Sequence, residues 1–467
     1  MHEAERKNLF ENTSVARAIA RLAIPTMVGQ IILVIYNMAD TFFVGQTGSD
    51  AMLAGVTVCM PAFMLLSALS NLFGVGGASA ISRALGRADA KRGGRCAAFS
   101  FYGCLLATLL YSLLSFIFLD AYVDLLGGGH PQVHELAREY LTVTVVLGGA
   151  ATSMNALLAH LLRSEGRSFH AAIGVMLGGV LNIALDPLFM FVILPRGREV
   201  FGAALATSLS NVCALLYYCA VLIRGRHKSV LRFIPEAEAL GDGIPGEVLS
   251  VGLPAFMMTT CENVSYAVMD ALTAGQGLTY QAGLGVAKKI NMLAHCAVRG
   301  IAQGALPLIA YNYAAGNDGR MKSAIRLTSL AAVASASACM GISLAASRPL
   351  VEAFIRTQPA AEYGEVYLRI LCLGCPFSAL AYVMISFFQA VKESRTSLVL
   401  ALARKGVLDI PMLFLFNRLL PPFGLAWATP IADFICCGMA LLFVTHYLRE
   451  RSDADFPGVA QPAQHVL

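Results

Sequence analysis

The chain has 467 residues, of which 57% are hydrophobic and 13% are charged, and its mean hydropathy is +0.66. Soluble globular proteins usually carry about 25% charged residues, so the composition excludes an ordinary water-soluble enzyme. The formal net charge is +5, but the basic residues lie in short segments between apolar stretches, where membrane orientation explains them. We therefore expect a multi-pass membrane protein without a nucleic-acid partner.

Twelve apolar stretches follow one another along the chain. A bilayer core of roughly 30 Å requires about 20 apolar residues per helix, and all twelve stretches reach that length. They lie near residues 20–44, 52–76, 97–119, 139–162, 170–194, 201–223, 248–274, 280–312, 324–347, 366–390, 397–420 and 424–448. The sequence therefore predicts an all-α membrane protein with twelve transmembrane helices.

The start of the chain and its cysteines give two further expectations. The first residues, MHEAERKNLF, open with charges and are not typical of a signal peptide, so no cleaved leader is expected. The twelve cysteines lie mostly inside apolar stretches and lack the spacing of a metal site. We expect them to act as small buried hydrophobic residues, and we predict no bound cofactor.

Lysine and arginine are distributed unevenly between the two sides of the predicted membrane protein. Most of the 34 residues, Arg163 among them, fall in segments that share one side with both ends of the chain. Cytoplasmic loops carry the excess of positive residues because such segments resist translocation. Both termini are therefore expected in the cytoplasm.

Segments of the first half recur in the second half at an offset of about 222 to 230 residues. The segment GAALATSLSN from Gly202 is matched by GLAWATPIAD from Gly424, and the proline segment around Pro25 by the one around Pro254. Two such halves of six helices share one orientation, so an axis along the membrane normal relates them and a substrate cavity lies between them. We predict an N-terminal lobe at 1–223, a cytoplasmic linker at 224–247, a C-terminal lobe at 248–448 and a cytoplasmic tail at 449–467.

Asp40 and Asp186 are the two acids that lie well inside predicted helices of the first half. At a rise of 1.5 Å per residue, both carboxylates lie roughly 24 to 30 Å from the cytoplasmic ends of their helices. Thr207 falls near that level, and Asn182 precedes Asp186 by one turn on the same helix face. We predict that these four residues form a cation-coupling cluster. The alternative is that both acids are inert structural groups.

The residues of this cluster do not by themselves distinguish H⁺ from Na⁺ as the coupling ion. Two neighbouring carboxylates in a partly desolvated pocket do not both ionise easily, so the pair can hold a proton. The same oxygen atoms, with those of Asn182 and Thr207, are also the hard ligands that a small metal cation such as Na⁺ prefers.

Further candidates concern bending and substrate contact. Pro25 and Pro187 each remove a helix hydrogen bond and are predicted hinges. Glu262 lies near the middle of its predicted helix and is the best candidate in the second half for meeting a cationic substrate. The further predicted substrate contacts are Tyr36, Asn155 and Phe256. The other charges of the second half are expected to compensate one another.

The segment LAIPTMVGQIILVIYNMADTFFVGQTG from Leu22 resembles the first helix of multidrug and toxic compound extrusion (MATE) transporters. The resemblance continues in order through LLRSEGRS from Leu161, LNIALDPLFMF from Leu181, GAALATSLSN, VGLPAF and GALPLIAYNYAAGN from Gly304, the last being most similar to the bacterial MepA-like branch. It implies twelve helices in two bundles, an ion gradient as energy source, and export of bulky, often cationic, amphipathic compounds. It also implies a bacterial cytoplasmic membrane, and we expect a monomer.

Residues of the family's cation sites can be compared position by position. The N-lobe site of the family has an aspartate on helix 1, an asparagine and an aspartate one turn apart on helix 5, and a threonine on helix 6. These positions are matched by Asp40, Asn182, Asp186 and Thr207. The sodium-coupled branch adds a glutamate on helix 7, matched by Glu262, and an aspartate on helix 10, which has no match between 368 and 391. The resemblance therefore favours coupling in the N-terminal lobe, with H⁺ preferred over Na⁺.

Two other functions compete with a drug antiporter. A flippase for lipid-linked oligosaccharides or cell-wall precursors has a related architecture, but its anionic substrates favour a strongly basic cavity and often additional helices. An intramembrane enzyme is the more distant alternative, and the sequence contains neither a G-x-S-x-G nor an H-E-x-x-H motif. We expect no catalytic residue and no enzymatic activity.

Overall fold

The computed structural model describes residues 3–127, 130–234, 237–355 and 357–454, and these ranges contain helices and no strand. We number the twelve long helices or helix runs α1 to α12. Those of the first half are α1 Val15–Gly45, α2 Met60–Gly86, α3 Ala90–Ile117, α4 Pro131–Leu147 with Gly149–Ser164, α5 Ser168–Ile193 and α6 Glu199–Gly225. Those of the second half are α7 Ile244–Ala274, α8 Leu278–Ala314, α9 Asp318–Ala345, α10 Gln358–Cys372 with Cys375–Ala390, α11 Ser394–Leu402 continuing through Ala403–Asp409 into Ile410–Leu419, and α12 Gly424–Ala454.

Shorter helices precede or connect the long ones. They are Glu3–Lys7, Asn8–Asn12, Asp50–Val58, Leu119–Leu126, Ala237–Leu240 and Ser347–Glu352. Residues 235 and 236 of the predicted linker and 455–467 of the predicted tail lie outside the described residues. The linker is shorter than predicted, because α7 begins at Ile244 rather than at 248. Pro245 in its first turn has a backbone torsion that suits a helix start.

The number of membrane-crossing helices depends on how broken helices are treated. Nine helices of the described residues are long and apolar enough to cross a membrane, and counting the two bent pairs, α4 and α10, raises the number to eleven. The remaining run is α11, which carries Arg404, Lys405 and Asp409 in its middle. All three of these charged side chains are buried inside the protein.

The two halves form two bundles whose contacts repeat. Helix α1 packs against α8, and α7 packs against α2. Exchanging the halves turns α1 into α7 and α2 into α8, so each contact maps onto the other. This is the arrangement expected from an axis along the membrane normal.

Close helix approach holds the bundles together at one end. A Cβ atom on Gly252 of α7 would overlap the carbonyl oxygen of Leu72 on α2. A Cβ atom on Gly304 of α8 would lie 2.6 Å from the Cα atom of Ala23 on α1. In lipid the hydrophobic effect does not drive helices together, so membrane helices associate through close van der Waals packing, which small residues allow. Both contacts lie toward the N-terminal ends of α1 and α7, so the two bundles pack closely against each other at that end.

Pro25 and Pro187 have different local consequences. Pro25 lies within the continuous helix α1, close to the contact with α8. Pro187 is followed directly by the π-helical segment Leu188–Ile193 at the end of α5. A proline removes a backbone donor, and the wider π turn is one way in which a helix continues past such an interruption.

Candidate functional site

A buried polar cluster connects α5 and α6. The side-chain amide of Asn182 donates to Oδ1 of Asp186 at 3.2 Å and to Oγ1 of Thr207 at 3.3 Å. Asn182 and Asp186 are four residues apart on α5 and therefore share a helix face. The exposed fractions of the three residues are 1%, 0% and 6%, so the cluster is shielded from solvent and lipid.

Helix α1 brings Asp40 to the same region. Gly179 of α5 lies against Ile32 and Tyr36 of α1, because a Cβ atom there would come within 3.0 Å and 3.2 Å of their side chains. Asp40 follows Tyr36 by one turn and is 5% exposed. The Tyr36 hydroxyl and the carboxylates of Asp40 and Asp186 lie within electrostatic range of one another. All four residues predicted for cation coupling therefore lie in one neighbourhood.

Several oxygen atoms of this cluster have no hydrogen-bond partner. They are Oδ1 of Asp40, Oδ2 of Asp186 and Oδ1 of Asn182. A buried polar atom left unpaired costs about 1–3 kcal/mol, and more when it is charged. The donor set consists of hard oxygen ligands, so it can accept a proton or hold a small cation such as Na⁺. No group of three or more His, Cys, Asp or Glu side chains suited to a metal ion occurs within the described ranges.

Glu262 is already paired with a cation in the C-terminal bundle. Its Oε2 accepts from Arg299 at 2.6 Å, and its Oε1 accepts from the Tyr382 hydroxyl at 3.0 Å. Glu262 is 6% exposed. Its negative charge is therefore compensated by α8 in this conformation, which leaves it less free to meet a cationic substrate than its sequence position indicates.

Two further buried ion pairs occupy the same bundle. Arg404 donates to Asp433 at 2.7 Å, and Lys405 donates to Asp409 at 2.8 Å. Asp409 also accepts from the hydroxyls of Ser265 and Thr429. The expectation that charges of the second half compensate one another agrees with these contacts.

A narrow cavity lies between the bundles. It is lined by Asn71 and Val75 of α2, Ala255, Met258 and Thr259 of α7, Arg299, Ala302 and Gln303 of α8, and Tyr382, Ser386 and Gln389 of α10. The predicted substrate contacts Tyr36, Asn155, Phe256 and Glu262 are not among these lining residues. Asn155 instead donates to Asn211 at 2.9 Å inside the N-terminal bundle, and Glu262 lies behind Arg299 and Tyr382.

Sequence reasoning did not single out the polar residues of this cavity. Arg299 and Gln303 are one turn apart on α8 and share a face, which is a signal the sequence contains. Arg163 was assigned to a cytoplasmic loop, but it lies in the last turn of α4 and is 6% exposed. Its charge near a predicted helix end gave no sign of burial, because long basic side chains at such ends usually reach water.

A buried ionic contact closes the end at which the bundles meet. Arg83 of α2 donates to Glu247 of α7 at 3.1 Å, and Arg92 at the start of α3 donates to the same carboxylate at 2.7 Å. Arg83 also donates to the backbone oxygen of Ala390 at 3.2 Å. The guanidinium thus connects α2 with both α7 and α10 across the interface.

The N-terminal segment adds a second connection at that end. Phe10 is fully buried and stacks on Tyr311 of α8 with 4.9 Å between ring centroids. Arg320 of α9 donates to the backbone oxygens of Phe10 and Thr13. The segment before α1 is therefore bound to the other bundle.

Comparison with known proteins gives a consistent result. The MatE family model matches residues 25–188 and 254–415, one stretch in each half. The multidrug export protein MepA of Staphylococcus saprophyticus is 29% identical over 454 residues, covering 97% of this chain and 98% of that protein. MepA of Staphylococcus aureus (strain NCTC 8325 / PS 47) is 28% identical with the same coverage.

Solved structures support the same fold. An outward-facing multidrug resistance MATE family transporter of the MOP superfamily superimposes with a TM-score of 0.86 at 24% identity, covering 93% of this chain and 96% of that one. A MOP superfamily transporter from Pyrococcus furiosus, described as having a binding pocket of reverse polarity that suggests a different function, gives 0.84 at 25% identity, with 95% and 98% covered.

These matches confirm the resemblance drawn from the helix motifs and the all-α fold of twelve helices in two bundles. The relatives are transporters, which agrees with the expectation of a non-enzymatic protein, and they do not favour the flippase. The family model covers well over half of the chain. The protein is a member of the MatE family of multi-pass membrane transporters.

Proposed function

We propose that the protein is a cation-coupled antiporter that exports amphipathic organic compounds, mostly cationic ones, with H⁺ preferred over Na⁺ as the coupling ion. The observation that carries the proposal is the buried cluster of Asp40, Asn182, Asp186 and Thr207 with its unpartnered oxygen atoms. An ionisable group inside a membrane helix is costly and marks an ion pathway when its partners are incomplete. The MepA relatives are described as multidrug export proteins, which supports the substrate class.

Helix α1 offers a physical connection between ion binding and transport. Asp40 lies near one end of α1, while Ala23 and Met27 near the other end contact Gly304 and Gly300 of α8. Pro25 lies between these two contact residues, at a position where the helix can bend. Protonation of Asp40 or Asp186 changes the charge between α1 and α5, and a shift of α1 changes its contact with the other bundle. An ion drives such a change only by its difference in affinity for the two conformations.

The orientation follows from the same proposal. Both termini lie in the cytoplasm of a bacterial cell, and the closed end with Arg83 and Glu247 faces the cytoplasm. The cavity between the bundles then opens outward, and the protein functions as a monomer in the cytoplasmic membrane. The excess of Lys and Arg on the side of the termini supports this orientation.

The test uses purified full-length protein in liposomes. Transport of a fluorescent organic cation is recorded under an imposed pH gradient and separately under an imposed Na⁺ gradient, for the wild type and Asp40→Asn. We expect transport driven by the pH gradient in the wild type and background transport in the variant. Normal transport by folded Asp40→Asn would overturn the role of the cluster. The matched control is Asp120→Asn, because the Asp120 side chain is 66% exposed and pairs with Arg138 at the surface.

A further inference from the structure

Two adjoining cavities between the bundles share Val75 and Gln303 in their linings. The first is also lined by His160 and Arg163 of α4, and the second by Arg299 of α8. Each bundle therefore contributes one guanidinium to the lining of these adjoining cavities at their interface. This region lies outside the Asp40 cluster, since neither Asp40 nor Asp186 lines either cavity.

Arg163 carries a buried positive charge without a counter-ion. Its side chain is 6% exposed, and within the described residues no carboxylate forms an ion pair or hydrogen bond with its guanidinium. The neighbouring His160 forms a hydrogen bond with Asn71, with 3.2 Å between Nε2 of His160 and Oδ1 of Asn71. Burying a charge without a partner is strongly unfavourable, so an anion from outside the chain would be bound here with a large gain.

Other atoms around the same region are also left without partners. Arg299 uses one terminal nitrogen for both Glu262 and Tyr382, and its Nε has no acceptor. Gln389 is 3% exposed, lines the cavity, and its Nε2 has no acceptor. Three side chains thus offer unused donors, from Arg163, Arg299 and Gln389. Gln303 adds one unused acceptor, its Oε1.

The charged side chains that line the two cavities are all basic. Neither lining contains an aspartate or glutamate, and the one nearby carboxylate, Glu262, is held behind Arg299. A guanidinium is planar and presents paired N–H groups that match the two oxygens of a carboxylate or phosphate. The lining therefore suits a ligand with an anionic group rather than a purely cationic one.

We infer that the cavity between the bundles binds an anionic group of the exported compound, through Arg163 of one bundle and Arg299 of the other. The inference rests on the proposed function, because it assigns this cavity to the exported compound. Among the soluble amphipathic compounds of the proposed function, those that carry a carboxylate beside their cationic group are expected to bind most tightly. Binding that bridges Arg163 and Arg299 also connects substrate to both moving bundles.

The first experiment measures binding rather than transport. Fluorescence anisotropy of the detergent-solubilised full chain compares rhodamine 110, which has a free carboxylate, with rhodamine 123, its methyl ester. We expect the wild type to bind the acid at least tenfold more tightly than the ester. Equal affinity for the two dyes in the wild type would overturn the inference.

Variants then locate the anion contact. Arg163→Gln should lose the preference for the acid while its affinity for the ester stays unchanged, and Arg163→Lys should keep part of the preference because it retains the charge. Arg348→Gln is the control, since that arginine is 57% exposed on a short surface helix and should behave as the wild type. An Arg163→Gln protein that keeps the full preference would contradict the inference.

A second variant covers the case in which Arg163→Gln does not fold, as judged by size-exclusion chromatography. Arg299→Gln combined with Glu262→Gln removes the other guanidinium together with its counter-ion, so neither member of this pair is left as an unpaired buried charge. We expect this double variant to bind the acid at least fivefold more weakly and the ester unchanged. Equal weakening of both dyes would remove Arg299 from the anion site.

Two further arms separate the alternatives. Dioctanoyl phosphatidylglycerol should not displace rhodamine 110 from the protein. Displacement that depends on Arg163 would show that the site binds a lipid phosphate group, and it would overturn the inference of a soluble substrate. Gradient-driven transport of both dyes is measured in liposomes with the wild type. If the wild type binds the acid more tightly but transports neither dye, the proposed antiport function is contradicted. The inference of an anion site is then still supported by the binding data.

Discussion

Arg83 of α2 and Glu247 of α7 form a buried ion pair across the interface of the two bundles, with 3.1 Å between Nη2 and Oε1. Their side chains are 1% and 4% exposed. Since the two residues belong to different bundles, the pair can exist only while this end of the molecule is closed. It therefore stabilises one of the two conformations that alternating access requires.

Glu247→Gln is expected to destabilise the closed end. The substitution removes the carboxylate shared by Arg83 and Arg92 and leaves the buried Arg83 guanidinium with neutral partners only. Breaking a buried pair from one side costs about 3–5 kcal/mol. Thermal unfolding of the detergent-solubilised protein should show a melting temperature several degrees below that of the wild type.

The control is Glu352→Gln, which breaks a pair with Arg348 whose side chains are 57% and 40% exposed. Exposed pairs contribute little to stability because water and salt screen them, so the melting temperature of this variant should stay near that of the wild type. Equal melting temperatures for the two variants would show that the Arg83–Glu247 contact does not stabilise the closed end.

Gly252→Ala tests the close approach of α7 to α2. The added methyl group would overlap the carbonyl oxygen of Leu72, which belongs to a helix backbone and cannot rotate away. Overpacking of this kind costs typically about 1–3 kcal/mol. We expect lower thermal stability and reduced gradient-driven transport, because the bundles can no longer close fully at this end.

Gly246→Ala is the matched control on the same helix, since nothing lies within 4 Å of a Cβ atom at that position. An alanine there should leave transport unchanged. If Gly252→Ala transports as well as Gly246→Ala, the tight contact with Leu72 is not required for the transport cycle.

Asn182→Ala tests the polar cluster without changing a charge. Asn182 is the donor that joins Asp186 to Thr207, so its removal leaves both acceptors without this hydrogen bond. We expect gradient-driven transport in liposomes to fall at least tenfold while the elution profile in size-exclusion chromatography remains that of the wild type.

The comparison variant is Asn37→Ala on α1. Its amide donates to the backbone oxygen of Leu33 within the same helix, at 2.9 Å, rather than to a residue of the cluster. Transport should be retained in this variant. Wild-type transport rates in both variants would indicate that Asn182 is a packing residue and not part of the coupling site.

Chemical labelling tests the orientation in the membrane. Lys228→Cys places a thiol at an exposed position after α6, and Leu278→Cys places one at the first residue of α8, which is 83% exposed. A membrane-impermeant maleimide should modify the first only in inverted vesicles and the second in intact cells. The reverse pattern would overturn the cytoplasmic assignment of the termini.

Several features of the fold follow from local sequence patterns. The one-turn spacing of Asn182 and Asp186 places both on one face of α5, and the structure joins them by a hydrogen bond. The apolar stretches mark the helices because each residue in a bilayer helix must satisfy its backbone internally and present an apolar side chain. The one long run that is not counted among the membrane-crossing helices, α11, carries charged residues that pair inside the protein.

Other features depend on residues far apart in the chain. Glu262 and Arg299 were each visible as charges within apolar stretches, but their pairing requires α7 and α8 to pack at that height. Arg83 and Glu247 belong to different halves, and nothing in either segment indicates the other. Arg163 likewise lines a cavity together with Gln303 and Pro307 of α8, which belong to the other half of the chain.

The sequence by itself determined the number and order of the helices, the repeat of the two halves and the spacing of the acidic cluster, because these depend on hydropathy and helical periodicity over short distances. Only the tertiary structure decided which charges are compensated and which face the cavity between the bundles. The physical reason is that a charge buried in a membrane protein takes its partner from whichever helix packs against it. That neighbour is set by contacts between helices such as α1 with α8 and α2 with α7, which are far apart in the chain.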